Sequence, residues 1–232
     1  MKNTLKKYQW LIFDADNTLF DYNKTEKTAL LHTLDDFEIP YHPKTIIGIY
    51  HTINHKLWMD FEKGLVKSQE EIKYRRTEQL FQQLKVDRNI THFAEDYLYN
   101  LSQNDHLLDH AYEVIDNLAQ THQMIIMTNG MTVVQKPRFA KSPLSKFFKH
   151  IVISEEIKHA KPSKKIFDYA FRLMRNPEKD KVLMIGDNLG SDIQGGINYQ
   201  IDTMWYNPSK KPTQHQATHE LHNLLDLIAN LH

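Results

Sequence analysis

The spacing of apolar and polar positions divides the chain into two regions with different sequence patterns. Across residues 21–102, apolar residues recur every third or fourth position within long charged stretches, which predicts amphipathic helices. One apolar stripe comprises Ile46, Tyr50, Ile53, Leu57 and Phe61. Gly64 follows it as the expected C-cap, and Ser68 with Glu71 has the spacing of a capping box at the start of the next helix. This part of the chain is predicted to be helical throughout.

The rest of the chain alternates short apolar runs with helical patterns. The runs are WLIF, QMIIM, HIVI, KVLMIG and DTMWY. Such alternation predicts a parallel sheet with helices on both faces. We therefore predict an α/β protein: a doubly wound, Rossmann-like parallel sheet core at 1–20 and 103–232, with an inserted α-helical cap domain at 21–102. The basic stretch at 134–148 is expected to form a helix over the sheet, and 213–232 to form a closing helix.

Composition narrows the class of protein. Hydrophobic residues make up 41% of the 232 residues, and no run approaches the roughly 18 uncharged apolar residues of a membrane span. Lys plus Arg and Asp plus Glu both number 29, so charge gives no general attraction to nucleic acid. The basic start MKNTLKK is not followed by an apolar signal region, and Cys is absent. We expect a cytoplasmic protein that binds neither membrane nor nucleic acid, with a monomer as the default.

Polar residues follow the predicted strands. Asp14 and Asp16 come directly after the first strand; residues two apart on a strand point the same way, so these carboxylates would repel unless a cation lay between them. The other residues expected near strand ends are Thr18, Thr128, Asn129, Gly130, Lys161, Gly186, Asp187 and Asp192. Because ligands of parallel sheets bind beyond the carboxyl ends of the strands, these residues predict one site.

The residue types indicate the chemistry of that site. Several carboxylates, without Cys or patterned His, form an oxygen-rich set that suits Mg²⁺. An ammonium group with hydroxyl and amide donors suits a phosphoryl group. A carboxylate placed beside that group could also attack phosphorus and form an aspartyl-phosphate.

Four segments carry a resemblance to a known family. DADNT, TNG, Lys161 and GDNLGSD resemble, in order, the four motifs of the haloacid dehalogenase-like (HAD) hydrolase superfamily. TINHKLWMDFEKGLV and ISEEIKHAKPSKKIFDYAF are similar to its bacterial pyrimidine 5′-nucleotidase branch. The resemblance implies a Mg²⁺-dependent phosphatase whose partner is a small phosphate ester, specifically a pyrimidine nucleoside monophosphate.

The resemblance also implies roles for single residues. Asp14 would be the nucleophile and a metal ligand. Asp16 would protonate the leaving oxygen and then deprotonate the attacking water, while its backbone carbonyl binds the metal. Asp187 would be the third protein ligand of the metal.

The remaining core residues would support these three. Thr128, Asn129 and Lys161 would hold the transferring phosphate. Asp192 and Thr18 would keep the metal ligands or Lys161 in place.

Several alternatives stay open at this point. A phosphatase or phosphomutase acting on sugar phosphates or other small phosphorylated metabolites would use the same core. A receiver-type signalling protein also carries a phosphorylated Asp, although it does not require the large helical insert. The dehalogenase branch lacks the second Asp of the first motif, so Asp16 disfavours it. Substrate selectivity would come from the cap, where Asn54, Trp58 and Arg75 are candidates, although an aromatic stripe at helical spacing is more often the core of the cap itself.

Overall fold

The computed structural model of the protein describes residues 8–214 and 216–231. The strands are β1 (Trp10–Phe13), β2 (Gln123–Thr128), β3 (His150–Ile153), β4 (Val182–Gly186), β5 (Asp202–Tyr206) and β6 (His219–Leu221). The helices of the inserted segment are α1 (Tyr22–Asp36), α2 (Pro43–Glu62), α3 (Gln69–Leu84) and α4 (Ile90–Ser102). The later helices are α5 (Ala111–Leu118), α6 (Thr132–Lys141), α7 (Ser154–Ile157), α8 (Lys164–Leu173), α9 (Gln194–Tyr199) and α10 (Asp226–Leu231). The basic segment MKNTLKK lies outside the described residues.

The six strands form one parallel sheet in the order β3-β2-β1-β4-β5-β6. Strand β1 lies in the interior, pairing with β2 on one side and β4 on the other. All four residues of WLIF are buried, which explains why this strand is continuously apolar instead of alternating. The strand order reverses direction between β1 and β4, and such a switch point opens a crevice at the carboxyl edge of the sheet.

Both faces of the sheet are covered, which confirms the doubly wound fold. On one face, Ile12 and Ile125 pack with Ile166 and Phe167 of α8. The residues that alternate with these along the strands point to the opposite face and are equally buried. That set comprises Leu11, Phe13, Met124, Ile126, Leu183 and Ile185.

The insert has its own hydrophobic core, built from the apolar stripes of α1–α4. Phe93 of α4 contacts Phe37 and Phe81 edge-to-face at ring-centroid distances of 5.1 and 5.0 Å. Ser68 accepts a bond from the Glu71 backbone N–H at 3.1 Å, the predicted N-cap of α3. The apolar stripe of α2 also faces this core: Ile46, Tyr50 and Leu57 are buried, and Ile53 and Phe61 are half-buried against it.

The chain divides into two compact units. One contains the described residues through Asp21, Leu107–Asn129 and the chain from Lys141 onward; the other contains Tyr22–His106 and Gly130–Ala140. The helix expected over the sheet at 134–148 is partly wrong: α6 ends at Lys141, and Gly130–Ala140 belongs to the second, helical unit. Met131 and Val134 belong to the hydrophobic cluster of α1–α4, which explains this grouping.

The closing helix predicted at 213–232 is partly wrong. The segment contains β6, which pairs with β5, and only Asp226–Leu231 is helical. A strand of three residues carries too little alternation for its pattern to be recognised. Within residues 8–214 and 216–231, no helix combines the length and the apolarity needed to cross a bilayer.

Candidate active site

The first strand delivers Asp14 to the carboxyl edge of the sheet. The Asp14 backbone N–H donates to Ile185 of β4 at 2.9 Å, so this residue is still held by the sheet. The chain then turns sharply: Asn17 adopts φ +59°, and the Leu19 and Phe20 N–H groups both donate to the Ala15 carbonyl, at 3.0 and 2.9 Å. An Asn tolerates this left-handed backbone better than most residues, which accounts for the DADNT spacing.

Lys161 is the centre of the charged cluster. Its Nζ lies 2.6 Å from Asp14 Oδ1 and 2.6 Å from Asp192 Oδ1, and it donates to the Met127 carbonyl at 2.7 Å. Only 1% of its side chain is exposed. Three oxygen atoms from three different segments therefore surround one buried ammonium group.

Asn129 fixes the backbone of that lysine. The Asn129 side chain accepts from the Lys161 N–H at 2.8 Å and donates to the Lys161 carbonyl at 3.0 Å. Thr128, the last residue of β2, precedes it and is buried. The TNG motif thus connects the end of β2 to the loop before α8 through these two hydrogen bonds.

Strand β4 brings the other carboxylates. Oxygen atoms of Asp14, Asp187 and Asp192 all lie within 4.8 Å of one another. The Asn188 N–H donates to Asp192 Oδ2 at 3.1 Å. A Cβ at Gly186 would lie 2.2 Å from Asp192 Oδ2, so the carboxylate can approach the strand only because this residue is glycine.

Three further residues, Thr18, Asp16 and Trp205, lie around this cluster. The Thr18 hydroxyl lies 3.4 Å from both Asp14 Oδ2 and Asp187 Oδ1, a long distance for a hydrogen bond. Asp16 forms a β-bridge with Phe20 and is half-buried. Trp205 Nε1 donates to the Asp187 carbonyl at 2.9 Å, a support from β5 that sequence reasoning missed.

The cluster carries an excess of negative charge. Asp14, Asp16, Asp187 and Asp192 oppose one ammonium group, which leaves three negative charges in excess when all are ionised. Burial raises the pKa of Asp14 to about 7 against the opposing effect of Lys161, and Asp192 and Asp16 raise it further. Burial, then Asp14 and Asp192, raise the pKa of Asp187 well above its usual value. An all-oxygen donor set with this charge fits a divalent cation.

Lys161 remains charged within this cluster. Burial alone would lower the pKa of its ammonium group, but Asp14 and Asp192 outweigh burial and raise it. The lysine therefore contributes a fixed positive charge beside the Asp14 carboxylate.

The chain is similar to a described protein family and to several known proteins. Residues 11–206 match the family model described as haloacid dehalogenase-like hydrolase. The chain belongs to the haloacid dehalogenase-like hydrolase family. Two curated relatives of this hydrolase are pyrimidine 5′-nucleotidases: PynA of Streptococcus pneumoniae, 33% identical over 95% of this chain and 94% of that protein, and YjjG of Escherichia coli, 33% identical over 87% of each. The crystal structure of the HAD-hydrolase YfnB of Bacillus subtilis, bound to magnesium, superposes with a TM-score of 0.91 at 33% identity, covering 97% of this chain and 99% of that one.

The three selectivity candidates of this HAD hydrolase occupy different environments in the helical unit. Asn54 is buried, Trp58 is half-buried and packs edge-to-face on Phe61 at 5.8 Å, and Arg75 forms a partly exposed pair with Glu71 at 2.8 Å. The structure does not bring Arg75 and Asn54 together by any contact between described residues.

Two buried charged residues lie beside Asn54, and sequence reasoning missed Glu26 and the burial of Arg76. Asn54 Nδ2 donates to the Glu26 carboxylate at 2.6 Å, and Arg76 Nη1 donates to Asn54 Oδ1 at 3.2 Å. A signal existed: Arg76 lies midway between the buried residues Ile72 and Leu80 at helical spacing. A charged residue inside an apolar stripe is rarely buried without a partner, so the pattern could have identified a polar cluster.

Proposed function

We propose that the protein is a phosphomonoester hydrolase that acts through an aspartyl-phosphate on Asp14. The observation that carries the proposal is the buried Asp14 carboxylate, held at 2.6 Å from Lys161 at the switch point of a parallel sheet. Membership of the hydrolase family and the two nucleotidase relatives support it.

The first half-reaction joins Asp14 to the substrate. A carboxylate oxygen of Asp14 attacks phosphorus, the P–O bond to the leaving group breaks, and Asp16 donates a proton to the departing oxygen. Lys161 and the Thr128 hydroxyl hold phosphoryl oxygens as negative charge moves onto them. Asn129 contributes by keeping Lys161 in position.

The second half-reaction releases phosphate. Asp16, now ionised, takes a proton from water, and the water oxygen attacks the aspartyl-phosphate. The bond between phosphorus and the Asp14 oxygen breaks, which restores the carboxylate and yields inorganic phosphate. Each proton taken from Asp16 is thus returned within one turnover.

Asp14, Asp187 and the backbone carbonyl of Asp16 are the groups proposed to hold Mg²⁺. When bound, the ion neutralises the negative charge that these carboxylates and the phosphoryl group bring together. Asp192, which shares Lys161 with Asp14, and Thr18 are assigned to positioning this set.

The proposed substrates are pyrimidine nucleoside monophosphates, because two relatives that cover most of the chain carry that activity in their names. Asn54, Trp58 and Arg75 of the helical unit stay candidates for selecting the leaving group. The proposed activity needs no macromolecular partner.

The test is phosphate release from a panel of nucleoside monophosphates and sugar phosphates, with Mg²⁺ and with EDTA. We expect metal-dependent hydrolysis that is fastest on dUMP, UMP or dTMP. Hydrolysis of sugar phosphates alone would keep the mechanism and reject the nucleotidase. No release from any ester, together with a stable phosphorylated Asp14, would contradict the enzyme and favour a signalling switch.

A further inference from the structure

We propose that the helical unit contains a recognition site for a neutral carbonyl group of the ligand, formed by the guanidinium edge of Arg76 together with Glu26 and Asn54. These three residues are named the insert triad. The statement that the recognised carbonyl group belongs to the base of a nucleotide rests on the proposed function. The existence of the site rests on the contacts and the charge of the triad.

The triad is a continuous hydrogen-bonded chain across three helices. Glu26 of α1 accepts from Asn54 Nδ2 of α2 at 2.6 Å, and Asn54 Oδ1 accepts from Arg76 Nη1 of α3 at 3.2 Å. His51 Nδ1 lies 3.0 Å from the other oxygen of Glu26, and Tyr22 accepts from Asn54 at 3.2 Å. Because its neighbours are a carboxylate and a guanidinium, the orientation of the Asn54 amide is determined.

Arg76 has donors that this chain does not use. Within residues 8–214 and 216–231, its Nε and Nη2 have no hydrogen-bond partner, although Arg76 is only 1% exposed. These two nitrogens lie on one edge of the guanidinium and direct parallel N–H bonds outward, the fork with which arginine binds paired or shared acceptors. Buried N–H groups of a charged residue that lack an acceptor reduce stability, so a ligand that places an acceptor at this edge would bind favourably.

The fork is held rigidly. The Arg76 guanidinium lies over the ring of Tyr97, with Cζ 4.7 Å from the ring centroid, and Tyr97 contacts Tyr50 edge-to-face at 5.2 Å. Stacking on one side and the Asn54 bond at one end fix both the plane and the rotation of the guanidinium. A preorganised donor pair loses little conformational entropy when it binds.

Charge selects the class of ligand. Glu26 is 3% exposed and is linked to Arg76 through Asn54, so a phosphate or carboxylate at the fork would bring a second negative charge into the same buried cluster. A neutral group with a carbonyl oxygen escapes that repulsion. If it also carries an N–H, Glu26 can accept the hydrogen, because a carboxylate has more acceptor sites than the two bonds found here. The edge of uracil or thymine, with carbonyls on both sides of N3–H, satisfies these requirements.

The first experiment measures binding of uridine, which carries the base without phosphate, by saturation-transfer NMR on the full chain. We expect uridine to bind the wild type, and Arg76→Lys and Arg76→Gln to weaken it by roughly 10- to 100-fold, the loss expected for charge-assisted hydrogen bonds. 3-Methyluridine, which lacks the N3–H, should bind at least about 10-fold more weakly than uridine. Uridine that does not bind, or binds equally to all three proteins, would overturn the proposal.

Two control variants separate recognition from folding. Arg88→Gln removes an exposed arginine of the helical unit, and Leu80→Ala removes apolar contacts from the buried face of α3 while keeping the Arg76 side chain. Both should retain the uridine affinity, and Leu80→Ala should lower the Tm. If Leu80→Ala weakens uridine binding as much as Arg76→Lys does, the loss reflects destabilised helices and the triad is only structural.

The second experiment compares substrates. For Arg76→Lys, the ratio of kcat/KM on dUMP to kcat/KM on phenyl phosphate should fall roughly 10- to 100-fold, chiefly through the KM for dUMP. An unchanged ratio would contradict the role in substrate selection. Absence of phosphate release from either ester in the wild type would instead refute the proposed function, and the uridine measurement would still decide whether the triad binds a base.

Discussion

The two buried charged clusters of this protein are built in different ways. The core cluster stands at the ends of β1, β2 and β4 and carries an excess of negative charge around one lysine. The insert triad stands on three helix faces and is neutral, with one carboxylate, one amide and one guanidinium. The first arrangement suits attraction of a cation and a phosphoryl group, and the second suits discrimination among neutral groups. Reaction and selection are thereby assigned to different elements of the chain.

The largest expected effect tests the core side of this comparison. Asp14→Asn removes the proposed nucleophile while keeping the shape of the side chain, so we expect kcat on dUMP to fall by at least about 10⁴-fold. The variant should fold, because the amide oxygen can still accept from Lys161. Phosphate release measures the change, and Asp36→Asn, which alters only an exposed pair with His32, should behave as wild type. Retained turnover in Asp14→Asn would remove the basis of the mechanism.

A second prediction concerns Lys161. In Lys161→Met the buried carboxylates of Asp14 and Asp192 lose their common partner, so we expect the metal-free protein to lose about 3–5 kcal/mol of unfolding free energy. Activity should fall as well, because the phosphoryl group loses a positive charge. Denaturant unfolding in EDTA measures the first effect. The matched control is Lys56→Met, which removes a mostly exposed lysine paired with Asp60 at 2.7 Å and should change stability little.

A third prediction contrasts the two clusters through the same change of a carboxylate to an amide. Asp187→Asn relieves the excess negative charge of the core, so it should stabilise the metal-free protein by about 1–2 kcal/mol. Glu26→Gln leaves the Arg76 guanidinium without its balancing charge, so it should destabilise by about 1–3 kcal/mol. Both are measured by unfolding at pH 8 in EDTA. Effects of the same sign would show that the charge difference between the clusters does not govern their stability.

The smallest expected effect is a pH dependence of the metal-free protein. Burial raises the pKa of Asp14 to about 7, above the value of about 3.9 expected in the unfolded chain. Between pH 6 and 8 the folded state therefore binds more protons than the unfolded state, and stability falls as pH rises, by about 1.4 kcal/mol for one such group. Thermal unfolding in EDTA at several pH values checks the slope, which Asp14→Asn should flatten. A stability that rises with pH over this interval would be the contrary result.

The comparison also explains what the sequence could reveal. The parallel sheet and the meeting of Asp14, Lys161 and Asp192 were predictable, because a strand end is recognisable and the topology of a parallel sheet brings such ends together. The triad was not, because the helix faces that meet depend on how α1, α2 and α3 pack. Arg75 and Arg76 show this: adjacent in sequence, one is paired at the surface and the other is buried. Strand β6 and the grouping of α6 with the helical unit likewise depend on tertiary contacts.

The partners of Lys161 have a consequence for the order of events in the site. An ammonium group carries three N–H donors, and Nζ already has three oxygen neighbours, on Asp14, Asp192 and the Met127 backbone. A phosphate oxygen can gain a full bond from this lysine only by replacing one of them. The Met127 carbonyl belongs to the sheet, and Asp192 is anchored by the Asn188 N–H, so Asp14 is the neighbour that can be released. In the proposed mechanism, the bond that Asp14 forms to phosphorus would remove charge from its carboxylate. Because one nitrogen has only three N–H donors, Lys161 would then pass a hydrogen bond from Asp14 to the phosphoryl group in the same step as the attack.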